Sequence, residues 1–490
     1  MTRSQSLALF AAVGGTLSIG ACVSSNSPQQ QEPFKPNTAV KTARNVNVTE
    51  LYNSNCSNCH GRRAEGGGAA TQSMLTKEKF DQSTDRRFFD AIRDGIPGTG
   101  MAAMGETMSD EMIWALVVHI RELQRDALRA EFGGPKADGQ GVFNGKDHDY
   151  KVSTVLDKAI KTPWSIDWLK DGTMLVSSRP GGIKLVKGGA VVGEVTGLPE
   201  CVELGQGGQM DVRVHPTNGF VYISYTEMKG GGAFTKVVRG KITVNGSNAT
   251  WGSEKTIYEV PESNYNLSQV HFGGKIAFDT KGHVFVSQGE RGSGNLAQRL
   301  DLPNGKIHRF NDDGSIPKDN PFIGKGMDSV WSYGHRNPQG LAIDASGNVF
   351  DTEHGPRGGD ELNSVQRGGN YGWPNVAFSI NYNDAPLSIP WSKPGESYKM
   401  PVLRWLPSIA ASGLDVMQGS AFPKWKGDLI AGGLAGQTVR RVRVKAGALV
   451  EEEELLYGIG RVREVKVGPD GLIYVAVNQP DRIIRIEPAK

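Results

Sequence analysis

Cys56-Ser57-Asn58-Cys59-His60 is the stretch whose spacing defines its chemistry most narrowly. Two thiols two residues apart, followed at once by His, form the attachment pattern of a c-type haem. Each thiol can form a thioether with a haem vinyl group, and the adjacent imidazole reaches the iron. A redox dithiol or half a zinc site would also begin with two such thiols. The zinc reading needs a second Cys pair, and the other two Cys of the chain stand far away, at positions 22 and 201. A haem iron needs a second axial ligand, and Met is a common partner of His. The Gly-rich segment from Ile96 to Gly105 offers Met101 and Met104, although a Met can also simply fill core space.

A second set of polar residues lies later in the chain. His271-Phe272-Gly273-Gly274, Gly334-His335-Arg336-Asn337-Pro338-Gln339-Gly340, Glu353 to Asn363, Asn370 to Pro374, and Arg461-Val462-Arg463 stand out. Each is weak alone, since an Arg-x-Arg is usually two solvated charges on one strand face. Together they supply cations, a candidate base and carbonyl-rich turns, which suits a small polyanion.

The elements that must position these groups begin with the region around the CxxCH. Ser109 can cap a helix whose first turn holds Asp110 and Glu111 and whose apolar residues recur at helical spacing through Arg121. His119 falls inside that helix and reads as a packing residue. From about Asn45 to Arg125 the chain resembles a small class I cytochrome c. That resemblance implies a haem c held by Cys56, Cys59 and His60, and it favours Met101 over Met104 as the second ligand. Before this domain, a basic start, an apolar run from Leu7 to Ile19 and a Gly20-Ala21-Cys22 ending describe an export signal over residues 1–22. The run is short for a membrane span. The ending resembles a bacterial lipoprotein signal with Cys22 lipidated, unless Cys22 is an ordinary residue beside a simple export site. Residues 23–42 are a polar tether, residues 43–126 the cytochrome domain, and the Gly-rich residues 127–150 a linker. The expected location is the periplasm or cell envelope.

The chain has 490 residues, a net charge of +3 and 64 Gly. That charge makes no electrostatic case for nucleic acid, and so much Gly predicts many tight turns. After residue 150 a strand–turn–strand unit repeats. Copies begin near Ile166, Val212, Ile276, Leu341 and Val465, with a degenerate fifth over Ala421 to Ala431. Asp-Gly and Asn-Gly turns between alternating strands are hairpin signals. Six copies predict an all-β six-bladed β-propeller over residues 151–490, preceded by the small all-α cytochrome domain. Ligands of such a fold sit in blade loops over the central channel.

At these loops the sequence resembles the glucose/sorbosone dehydrogenase family, and within it the soluble PQQ-dependent aldose sugar dehydrogenases. The motifs are Trp164 to Leu169, Gly205-Gln206-Gly207-Gly208, His271 to Gly274, His335 to Gly340, and the Glu353 to Asn363 block. The resemblance implies His271 as general base on the sugar's anomeric hydroxyl, with Glu290 orienting it. It implies Arg336 and Asn337 at the quinone oxygens, Arg461 and Arg463 at the PQQ carboxylates, and Gln206 on the cofactor side. Gly355 and Pro356 would present carbonyls to a Ca²⁺ beside the PQQ, and Asp360, Glu361 and Tyr371 would form a second Ca²⁺ site. Two departures stand out. Ala435 occupies a position where the family often has Lys, so one cofactor contact is missing or Arg440 or Arg441 replaces it. Val270 precedes the catalytic His where the best-known glucose enzyme motif has Asp. Cys201 is assigned no role.

The expected function is an exported quinohaemoprotein that oxidises aldoses at the anomeric carbon to lactones and reduces its own haem, which then serves a downstream acceptor. The alternatives are the same chemistry on a non-sugar alcohol or aldehyde such as sorbosone, and a non-catalytic sugar-binding propeller beside a cytochrome.

Overall fold

The computed structural model describes residues 46–68, 72–392 and 395–489, and these fall within one compact unit. The export signal, Cys22 and the tether lie outside the described residues. Among the described residues no helix is long and apolar enough to cross a membrane.

The N-terminal domain is helical. Helix α1 spans Val48–Asn55, α2 Ser57–His60, α3 Asp85–Asp94 and α4 Asp110–Phe132. Asn47 caps α1 by accepting from the Glu50 N–H at 2.9 Å, and Ser109 caps α4 by accepting from the Met112 N–H at 3.4 Å. Such caps satisfy N–H groups that have no partner within the helix. Helices α1 and α3 pack on α4 around Leu51, Tyr52, Phe89, Ile113 and Leu116. His119 is buried against the Tyr52 ring at 5.1 Å, the packing role expected of it.

Helix α4 runs to Phe132, past the domain end expected at residue 126. Gly133, at φ +67°, ends it. The last turns are fastened to the propeller: Arg129 pairs with Glu454 at 2.8 Å and lies 3.6 Å over the Tyr457 ring. The segment read as a linker therefore contains the end of a helix. It also contains a short strand, Val142–Phe143, which joins a propeller sheet by pairing with Lys151 and Tyr150.

The strands form five sheets, which make up six blades. The innermost strands, Pro163–Trp168, Gln209–Val214, Gly273–Phe278, Pro338–Ile343, Ala411–Val416 and Arg461–Val467, pack side by side in a closed ring. Blades one and two merge into one eight-stranded sheet, because their outer strands Ala190–Thr196 and Asn248–Tyr258 pair in parallel. The last blade takes its outer strand from the start of the domain: Tyr150 pairs with Pro488 and Val152 with Ile486. This closure ties the two ends of the propeller together and leaves short, protected edges.

Five of the six repeat copies coincide with an inner hairpin. The fifth does not. Its inner strand is Ala411–Val416, and Pro423–Trp425 is a 3-10 turn. Phe422 and Trp425 are buried and stacked at 4.5 Å, so the apolar pattern there reports a packed turn.

Candidate active site and haem centre

Most of the predicted loop residues meet at one mouth of the ring. His271 sits just before the third inner strand with φ +53°, a left-handed conformation uncommon outside Gly. Two contacts hold it there. Its N–H donates to Gln206 Oε1 at 2.9 Å, and its Nδ1 bonds Glu290 Oε1. A carboxylate accepts that bond, so the proton resides on Nδ1 and Nε2 is left as the basic atom. Gly289 permits the approach, since a Cβ there would stand 2.1 Å from the His271 carbonyl. Burial lowers the His271 pKa below its ordinary value, against the opposing pull of Glu290. Glu290 Oε2 is buried with no hydrogen-bond partner among the described residues.

Arg336 and Asn337 stand on the neighbouring blade. Arg336 Nη1 donates to the carbonyls of His354 and Gly355, each at 3.0 Å, and its Nε is buried without a partner. Its guanidinium lies 5.3 Å from the Trp373 ring. Asn337 Oδ1 is engaged by the Gly273 N–H at 3.3 Å and by Gln339 at 3.1 Å. Arg461 has no ion-pair partner among the described residues, and Arg463 bonds only the neutral Asn478 Oδ1, at 2.8 Å. Burial, then the charges of Arg461 and Arg179, push the Arg463 pKa down to about 9. Arg179, which the sequence reading did not single out, lies 5.7 Å over the same Trp164 ring that Arg463 covers at 4.4 Å. Arg179 pairs with Glu203 at 3.3 Å, so Arg461 and Arg463 are the cations left without an ion pair among the described residues, and two such half-buried cations fit a polyanionic cofactor carrying several carboxylates. Neither Arg440 nor Arg441 replaces the Lys missing at Ala435. Arg440 pairs with Glu452 and Glu454, and Arg441 with Asp428, Glu451 and Glu453, on outer strands.

The second predicted Ca²⁺ site is rearranged. Asp360 and Glu361 are adjacent on one strand, so their side chains face opposite sides of the sheet. Asp360 is consumed by Gly355 N–H at 3.0 Å, Ser408 Oγ at 2.6 Å and Ala411 N–H at 3.1 Å. Tyr371 donates its hydroxyl to the Ser364 carbonyl at 2.6 Å, and its ring stacks on His335 at 4.6 Å. The oxygens of both side chains are already engaged in hydrogen bonds. The acids that converge are Asp351, Glu353 and Glu361. His335, Asp351 and Glu353 present ligand atoms within 4.8 Å of one another, and Asn363 Nδ2 bridges Glu353 and Glu361 at 3.1 Å each. Both Asp351 oxygens and Asn363 Oδ1 are buried without hydrogen-bond partners among the described residues. Burial and mutual repulsion push the Asp351 and Glu361 carboxyls well above their usual range. Such a donor set fits a hard cation. Asp351 escaped the sequence reading because its only signal is strand register, opposite Asn363.

The haem motif lies where α1 turns into α2. Cys56 is the C-cap of α1, and Cys59 and His60 complete the next turn. His60 Nδ1 is buried with no hydrogen-bond partner among the described residues, and burial lowers its pKa, which favours the neutral, metal-binding imidazole. Cys56, Met101 and Met104 all flank the core of this domain. The donor set fits a haem c. Cys201 is half-buried against the core of the first two blades.

Residues 160–485 match the family described as Glucose / Sorbosone dehydrogenase, and residues 43–120 match the one described as Cytochrome C oxidase, cbb3-type, subunit III. The aldose sugar dehydrogenase YliI of Escherichia coli is 35% identical over 349 residues, covering 68% of this chain and 92% of that protein. A crystal structure of a glucose dehydrogenase superposes with a TM-score of 0.64 at 36% identity, over 69% of this chain and 99% of the other. The PQQ-bound aldose sugar dehydrogenase of Streptomyces coelicolor gives 0.55 at 28% identity, over 72% and 99%.

Proposed function

Because this chain belongs to the glucose/sorbosone dehydrogenase family and carries a cytochrome c domain, we propose that it oxidises aldoses at the anomeric carbon to lactones with PQQ and reduces its own haem. The observation that carries this reading is one arrangement: a His271–Glu290 pair with a basic Nε2, beside Arg461 and Arg463, which have no ion pair among the described residues. Arg336, Asn337, Arg461, Arg463 and Gln206 would hold the PQQ, and Cys56, Cys59, His60 and Met101 the haem. When bound, the quinone supplies the acceptor for the hydride leaving the anomeric carbon. His271 Nε2 takes the proton of the anomeric hydroxyl, and Glu290 fixes the ring and stabilises the imidazolium. Arg336 places positive charge where negative charge develops. The Gly355 and Pro356 carbonyls would take a Ca²⁺, the Gly355 oxygen being shared with Arg336 Nη1. Asp351, Glu353 and Glu361 would take another.

The same reading has the protein exported to the periplasm or cell envelope, with a lipid on Cys22 and a downstream one-electron acceptor for the haem. Its support is the opening sequence pattern together with a haem type attached outside the cytoplasm. The test is His271→Ala reconstituted with PQQ and Ca²⁺. Sugar-driven dye reduction falls about 10²–10⁴-fold, the usual worth of a general base, while PQQ binding persists. Wild-type turnover in that variant removes His271 from the reaction.

A further inference from the structure

The cytochrome domain is seated on the loops that build the proposed quinone pocket. Its core takes in Phe378, Ile380, Trp391 and Leu406 of the propeller. Ion pairs ring this contact. Arg357 grips Glu122 of α4 with two bonds at 3.0 Å, one residue beyond the Gly355-Pro356 carbonyls. Arg404 reaches Asp85 at 3.0 Å, and Gln82 exchanges bonds with the backbone of Val402 and Arg404. Gly358 allows the approach: a Cβ there would stand 3.4 Å from Val118 of α4 and 2.8 Å from Leu406.

Inside this ring runs an unbroken line of aromatic rings. Phe378 lines a small cavity with Arg336, Gly355 and Pro356, which Glu353 and Glu361 also line. Phe378 meets Trp391 edge to face at 5.2 Å. Trp391 stacks on Trp114 of α4 at 4.0 Å, with planes 7° apart. Trp114 stacks on Phe89 of α3 at 4.1 Å and 27°. Phe89 lies in the core that Cys56 and Met101 flank. Trp391 is 5% exposed, and its indole N–H is buried without a hydrogen-bond partner among the described residues. An unpaired donor disfavours Trp against Phe at such a place, so the wide π face is what this position uses.

Resting on the function proposed above, we infer that Phe378, Trp391, Trp114 and Phe89 form the route by which electrons pass from the quinone pocket to the haem. Closely spaced, water-excluded π systems couple far better than aliphatic packing of the same volume. Oxidation of one aldose to lactone releases two electrons and two protons. The electrons cross singly, each reducing ferric haem to ferrous. A one-electron oxidant outside the chain, of the c-type cytochrome class, reoxidises the haem between and after the two transfers. The protons leave to solvent, one of them through His271.

The test compares wild type with Trp391→Met, Trp391→Phe and Phe378→Leu in the haem-loaded full chain. Stopped-flow absorbance follows haem reduction after sugar is added to the PQQ-reconstituted protein, and dye reduction is measured alongside. Two readouts need no quinone: the haem midpoint potential, and protection of the domain contact from proteolysis. Trp391→Met slows haem reduction at least several-fold, with dye reduction, potential and protection unchanged, and Phe378→Leu slows haem reduction several-fold more than it slows dye reduction, with potential and protection unchanged. Trp391→Phe keeps most of the rate. Wild-type haem reduction in either Trp391→Met or Phe378→Leu overturns the route. If Trp391→Met loses protection, Phe378→Leu alone decides. A wild type that reduces dye but never its haem also overturns the route, whereas a wild type that reduces neither with any aldose overturns the proposed function beneath it.

Discussion

One strand, Arg461–Val467, shows two opposite treatments of buried charge. Glu464 points into the ring, fully buried, and takes Arg213 Nη2 at 2.9 Å and Lys275 Nζ at 2.7 Å. Asp211, on the same strand as Arg213, and Ser165, on one further inner strand, complete the network with a bond of 2.5 Å. Four of the six inner strands are thus fastened through polar groups that satisfy one another. At the mouth, Arg461 and Arg463 of the same strand have no ion-paired carboxylate among the described residues. An uncompensated buried charge is costly, so a fold keeps one where something outside the chain will compensate it. Paired charges hold this propeller together, and unpaired ones mark where it binds.

Breaking the paired set has the largest expected effect. Glu464→Gln leaves two buried cations short of a partner, and urea unfolding should show a loss of about 3–5 kcal/mol. Breaking the unpaired set does the reverse. Arg463→Gln removes a charge whose pKa burial has already lowered, so unfolding without cofactor should show stability equal to or above wild type. Its cost appears in titrations with PQQ, where affinity should fall by about 10–100-fold, the worth of one charged hydrogen bond. Reduced stability in Arg463→Gln together with unchanged PQQ affinity would invert the comparison.

The smallest effect sharpens the role of Glu290. The proposed reaction requires neutral His271, so the acid limb of the kcat/KM profile is expected to follow the pKa of this ring and to lie below pH 6.5, its ordinary value. Burial sets that direction, and Glu290 opposes it by favouring the imidazolium. Glu290→Gln removes the opposing charge, so the limb moves to still lower pH while the maximal rate falls. A limb that moves upward would assign the titration to another group.

The linear chain determined everything that depends on local spacing. The CxxCH places two thiols and an imidazole on consecutive helical turns whatever surrounds them. Turn residues between alternating strands count the blades. His271, Arg336 and Arg461 could be placed because each lies just before, or at the start of, a recognisable inner strand. What the tertiary structure alone decided depends on register and on distant partners. Asp360 and Asp351 are equally acidic in sequence, and only strand pairing puts Asp351 among Glu353 and His335 while Asp360 is tied up by Ser408 and the backbone. The fifth hairpin was misplaced because buried aromatics in a turn mimic a strand. Glu122 and Arg357 stand 235 residues apart, and Trp114 is still farther from Trp391, so no local pattern announces that the two domains meet. Composition and spacing fix which groups a chain carries, whereas only the closed ring and the docked helices fix which of them lose their water and face one another.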